Sequence, residues 1–219
     1  MGINSEFKKS LKTTAEIIFH LTLIVDDIKY FDELKAKRQS IVLNTYRFLW
    51  RAHYGIYMAM VLYYNKLFIR DEDPSLMKLL NEAVCHYKGL KWLRKPDLEQ
   101  LNIYLESLNE CEASSLIQSL KTARDTYYAH FDKSRPSKIP IESDDLDKYL
   151  AIAQEIVNYL SLHYENKQYP FIFSYADVGH HIIDNLFKYH QIKKALIDSK
   201  LTFDKVLTID QIRDIISSK

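Results

Sequence analysis

An all-α architecture follows from three features of the sequence. Apolar residues recur at helical spacing along almost the whole chain, no run shows sustained period-2 alternation bounded by turn residues, and glycine and proline are scarce, at 4 and 5 of 219 residues. Few helix breakers mean few forced turns, so long helices with short connections are expected. With 47% apolar and 27% charged residues, no segment has the composition of a disordered chain, and the length suffices for one substantial core with an appendage.

The first helix is expected over about residues 5–29 and a long second one over about 33–69, apolar nearly all round from Val42 onward and therefore central. "RDEDPS" ends it, with Asp73 as the cap and Pro74 as the first residue of a third helix that runs to about Leu93. "RKPD" breaks the chain again, and Pro96 and Asp97 start a fourth helix reaching to about His130, with a candidate interruption between Ser107 and Glu112. The following "FDKSRPSKIPIESDD" is a loop, because Pro136 and Pro140 remove backbone donors and push their predecessors to extended geometry. Asp144 or Asp145 caps a fifth helix to about Tyr164, and further helices are expected near Tyr175 to Lys194 and Ile209 to Ser217. The expected division is a helical domain to about residue 165 and a helical C-terminal extension, about 166–219, packed on the same domain.

Thirty Lys plus Arg against 29 Asp plus Glu leave a net charge of +1, which excludes binding to nucleic acid by global basicity. Any such site must be local. Cys85 and Cys111 form neither a C-x-x-C pair nor a zinc framework and read as core thiols in a reducing compartment. "MGINSEFKKSLKTT" has no apolar signal-peptide run, and Glu6 stands where a myristoylation signal needs Ser or Thr. The most apolar run, Tyr54 to Tyr64, is about half the length of a membrane span and is flanked by Arg51 and Lys66. A cytoplasmic protein without membrane contact is the expectation.

The stretch "KTARDTYYAHFDKSRP" holds the candidate chemistry. At about 100° per residue, Leu116, Ile117, Leu120, Ala123, Tyr127 and Phe131 gather on one side of the fourth helix, with Arg124 close to their centre. A guanidinium cannot lose its charge, and burying it alone costs several kcal/mol, so Arg124 must be paired or face a cleft or interface. His130 follows about 9 Å further along a straight helix and about 120° around it, near a helix C-terminus that favours its protonated form. An imidazole that titrates near neutrality beside a permanent cation suits phosphate chemistry.

The bare spacing is weak, since about one Arg and His pair at such separations is expected by chance, and Arg47 with His53 is one. What distinguishes Arg124 and His130 is the adjacent Asp125, the helix end and the loop that follows. Lys121, Lys133, Arg135 and Lys138 add a local positive excess able to attract phosphate. Tyr128 offers a face for stacking unpaired bases, whereas Tyr127, inside the stripe, reads first as core. His180, His181 and His190 complete no recognisable ligand spacing, and no metal or other cofactor is expected.

At Arg124, Asp125 and His130 the chain resembles the HEPN superfamily, whose signature is an arginine, a polar residue and a histidine four to six intervening positions after the arginine. "LKTARDTYYAHFDK" looks like the form in the AbiU-type abortive-infection branch, and "RDEDPSLMKLL" after a long helix is similar too. The resemblance runs over about residues 30–165. It implies a HEPN-like helical bundle, a homodimer whose two motifs meet at a shared cleft, and a metal-independent endoribonuclease with RNA as substrate. His130 would act as general base or acid at the 2′-hydroxyl, Arg124 would stabilise charge on the phosphoryl group, and Asp125 would orient one of them. A toxin or phage-defence role, with an antitoxin or regulatory protein as a further partner, is the corresponding expectation. Asp132 departs from the subgroup that carries a tyrosine two residues after the histidine, which speaks against neutralisation by nucleotidylation there. Two other readings stay open: a non-catalytic module binding a nucleotide, nucleic acid or protein in the same cleft, and a helical dimer in which Arg124 forms an ion pair with a neighbouring carboxylate.

Overall fold

Helices are the regular elements among the described residues of the computed structural model, which are 2–36, 47–128, 143–171, 185–186 and 188–194, and no strand occurs among them. The first helix, α1 (Ile3–Ala36), continues past the end expected near residue 29, because "KYFDELKA" contains no glycine or proline to stop it. The second, α2 (Arg47–Phe68), ends as expected ahead of "RDEDPS"; Val42 lies outside the described residues.

The cap of the third helix differs from expectation. Ser75, not Asp73, caps α3 (Leu76–Cys85), its hydroxyl accepting the Lys78 N–H at 3.2 Å, and Pro74 lies before the helix rather than opening it. Nor does α3 reach Leu93. It ends at Cys85, where the N–H of His86 returns to Glu82 and the N–H groups of Gly89 and Leu90 close on the His86 carbonyl.

Asp97 does start α4 (Leu98–Ala113), accepting the Glu99 N–H at 2.9 Å. The interruption expected between Ser107 and Glu112 falls instead at Ser114. This residue takes extended backbone angles, donates its hydroxyl to the Cys111 carbonyl at 2.6 Å and accepts the Ile117 N–H at 3.3 Å. One hydroxyl thereby ends α4 and caps α5 (Ser115–Ala123). The next helix among the described residues, α6 (Ser143–Glu165), begins just ahead of the expected Asp144 or Asp145 and is closed by Asn166, whose φ of 53° is the left-handed geometry that asparagine tolerates. Residues 188–194 are helical within the span expected to Lys194, and the expected helix from Ile209 to Ser217 lies outside the described residues.

Contacts divide the chain into two compact units, Met1–Lys29 with Tyr54–Phe173 and Tyr30–His53 with Ser174–Lys219. The first holds one continuous core. Phe7, Leu11, Ala15, Ile18, Leu21 and Val25 line one face of α1, and Leu146, Leu150, Ala153, Val157 and Leu160 line one face of α6, both at three- and four-residue spacing. Met60, Tyr64 and Leu67 of α2, Leu76, Leu80 and Ala83 of α3, Leu101 and Leu108 of α4 and Ile117 and Leu120 of α5 join them. Each fully buried side chain of this size is worth about 1.5–3 kcal/mol.

Polar links fix the helices against one another. The buried Tyr64 hydroxyl donates to the Leu146 carbonyl at 2.7 Å, and burial, with the charge of Asp147, pushes its pKa well above the usual phenol range. Asn158 exchanges two hydrogen bonds with the Tyr169 backbone, at 2.7 and 3.3 Å, which ties the segment after α6 back onto the helix. In the second unit the Phe31 ring meets His53 edge-on, with centroids 4.9 Å apart. No helix among the described residues is long and apolar enough to cross a membrane.

Ser114→Ala is expected to lower unfolding stability by about 1 kcal/mol, with Ser114→Asn recovering most of it, in urea titrations followed by circular dichroism. Equal losses in both variants would contradict the shared-cap role.

Candidate functional site

The site is built where the chain leaves α2. Ile69 is buried and its N–H closes on the Asn65 carbonyl at 2.9 Å. The Arg70 backbone N–H then donates to Glu112 Oε1 at 3.0 Å, and its guanidinium donates to Asn109 Oδ1 at 2.5 Å, both acceptors on α4. Lys78 of α3 donates to the Asp71 carbonyl at 3.1 Å, and the buried Ser75 caps α3. The connection is therefore tied to α4 and α3 just ahead of Glu72 and enters α3 at the Ser75 cap just after it. Its carboxylate reaches Arg124.

Arg124 directly follows α5 and opens a π-helical turn, Arg124–Tyr128. Asn65, only 1% exposed, donates to the Leu120 carbonyl at 3.0 Å, so α2 is pinned to α5 one turn ahead of Arg124. The guanidinium makes two charge-assisted bonds: Nε donates to Asp125 Oδ1 at 2.8 Å, and Nη1 forms an ion pair with Glu72 Oε1. The Asp125 hydrogen bond and then the charges of Asp125 and Glu72 raise the arginine pKa, against the opposing effect of partial desolvation. The trio carries one net negative charge.

Arg124 is paired with carboxylates, as the ion-pair reading expects, and is also partly open to solvent. Its side chain is 20% exposed, Glu72 32% and Asp125 50%, so the cluster opens to solvent at the end of the stripe rather than lying in a closed core. Leu116, Ile117, Leu120 and Ala123 are buried as the stripe requires. The wider winding of the π turn ends the regular 100° progression at Ala123; the Tyr127 side chain, His130 and Phe131 lie outside the described residues.

Of the site residues expected from sequence, the structure brings together Arg124 and Asp125 and sets a half-buried Lys121 on α5. The backbone of Tyr128 belongs to the π turn, while its side chain, His130, Lys133 and Arg135 lie outside the described residues. Glu72 was not singled out in the sequence. Its one signal was the acidic run of "RDEDPS", which does not say which of Asp71, Glu72 and Asp73 meets an arginine more than 50 residues away.

Two other features lie apart from this cluster. A cleft of about 510 Å³ is lined by Lys8, Lys12, Phe19, Lys167, Tyr169 and Phe171 among others, and by none of the trio. Among the described residues no group of three or more His, Cys, Asp or Glu side chains stands ready to hold a metal ion; His180 and His181 lie outside them.

The model of one protein family, HEPN AbiU2, matches residues 5–186. The match extends at both ends beyond the span of about 30–165 over which the motif and its neighbourhood showed the resemblance. No curated protein and no solved structure matches the chain.

A double-mutant cycle of Arg124→Ala and Glu72→Ala, read by urea unfolding, is expected to give a coupling of about 1 kcal/mol. A coupling indistinguishable from zero would show that the pair is not held in solution.

Proposed function

The chain belongs to the HEPN AbiU2 family, and from that premise we propose that it is a metal-independent endoribonuclease acting as a toxin or phage-defence effector in the cytoplasm. The observation that carries the reading is Arg124 itself: a fixed, partly open guanidinium on a π turn, a form of helix irregularity frequent at functional sites, six positions before His130.

In this mechanism His130 takes the proton of an RNA 2′-hydroxyl as the 2′-oxygen attacks the adjacent phosphorus. The bond from phosphorus to the 5′-oxygen breaks, that oxygen receives a proton, and the products carry a 2′,3′-cyclic phosphate and a 5′-hydroxyl. Arg124 donates to the phosphoryl oxygens as their charge grows, which is where a preorganised cation contributes most. Asp125 orients Arg124 through the Nε bond. Because the Arg124 trio is net negative, attraction of the RNA backbone falls to Lys121, Lys133 and Arg135, doubled in a homodimer with a shared cleft, and Tyr128 supplies a stacking face. An antitoxin or regulatory protein would restrain the activity.

One observation favours a second reading, a non-catalytic HEPN module that binds a nucleotide, nucleic acid or protein. Both carboxylates already pair with the charge of Arg124, as they would in a purely structural ion pair.

Wild type in excess EDTA is expected to cut total or tRNA-sized RNA and leave cyclic-phosphate ends. His130→Ala should lower the rate by at least about 100-fold and Arg124→Ala by about 100- to 1,000-fold, with helical circular dichroism unchanged. Normal cleavage by His130→Ala would refute the mechanism, and an inactive but folded wild type that still binds RNA would favour the binding module. Light scattering is expected to return twice the 25.9 kDa of one chain. A monomer at micromolar concentration would contradict a composite site.

A further inference from the structure

Arg124 has two carboxylate partners, and they are not equivalent. Asp125 is its neighbour in sequence, belongs to the same π turn and is half exposed, so it moves with the arginine and cannot fix it relative to the rest of the fold. Glu72 comes from a different part of the chain. Just ahead of it, the Arg70 backbone is held to α4 through Glu112, with the Arg70 side chain on Asn109, and the Asp71 carbonyl is held to α3 through Lys78; three residues after it, Ser75 caps α3. A carboxylate anchored in this way transmits the position of three helices to one guanidinium nitrogen.

A guanidinium offers five N–H donors in one plane. With Nε on Asp125 and Nη1 on Glu72, its plane and rotation are set, while Nη2 has no partner among the described residues and keeps its N–H donors for a phosphate. We propose that Glu72 is the positioning residue of this site, holding Arg124 so that Nη2 meets a phosphodiester of the substrate RNA. The proposal rests on the ribonuclease reading for its substrate but on geometry alone for the holding of Arg124. Holding the arginine before substrate arrives removes a rotational cost from the chemical step, so the effect belongs in kcat more than in KM.

The test compares full-length wild type with E72A and E72Q, since a glutamine carbonyl still accepts the Nη1 bond. In protein carrying 15N-arginine, with the Arg124 signals assigned by their loss in R124K, wild type and E72Q are expected to show slowed rotation about the Cζ–Nη bonds and E72A averaged signals. On an RNA oligonucleotide, kcat should fall about tenfold or more in E72A with KM changed less than about twofold, and E72Q should recover most of it. Unchanged Arg124 signals in E72A overturn the proposal. So does faster cleavage by E72A, which would mean that the carboxylate shields the arginine, or an equal loss in E72A and E72Q. If wild type cleaves no RNA, the ribonuclease reading fails while the arginine signals still decide whether Glu72 holds Arg124.

Discussion

The permanent charge of Arg124 is the constraint around which this part of the molecule is organised. Every other residue of its helical face between Leu116 and Ala123 is apolar and buried, so the helix must enter the core. A guanidinium placed next on that face cannot follow, because its desolvation outweighs anything that packing alone returns. The structure meets the conflict in three ways. The winding loosens into a π turn, the side chain stays partly in solvent, and two carboxylates stand within bonding distance.

Those carboxylates require a scaffold of their own. Glu72 is useful only because the chain leaving α2 is bound to α4 and α3, and because Asn65 couples α2 to α5 through a buried amide. The shared Ser114 cap ends α4 and starts α5; α4 receives Arg70, and α5 delivers Arg124. The core below, in which α1 and α6 contribute their regular apolar faces, gives these positions their rigidity. Stability and site geometry thus share the same few polar contacts.

Much of this was legible in the sequence, for physical reasons that also mark where legibility ends. Apolar periodicity, scarce glycine and proline and the Asp97 cap signal are local properties, and they led to helices and to the α4 start that the structure has. Caps competing within a few residues were harder to rank. Asp73 and Ser75 flank one proline, and only the burial of Ser75 against α3 decides which of them caps. Ser114 was overlooked because its role depends on serving two helices at once. At the site, Arg124 betrayed itself by breaking an apolar pattern, and Asp125 by adjacency. Glu72 and the π turn could not be read in this way, since one is a contact across a long stretch of chain and the other a change of winding that leaves residue types unaltered.

A crystal structure of the His130→Ala protein with a short single-stranded RNA tests most directly whether Arg124, held by its two carboxylates, presents Nη2 to a phosphate. The expected result is a backbone phosphate about 3 Å from Nη2 of Arg124, with the bonds to Asp125 and Glu72 retained and His130's position facing the 2′-oxygen of the same nucleotide. RNA bound elsewhere, or a phosphate that reaches Arg124 only by displacing Glu72, would contradict it.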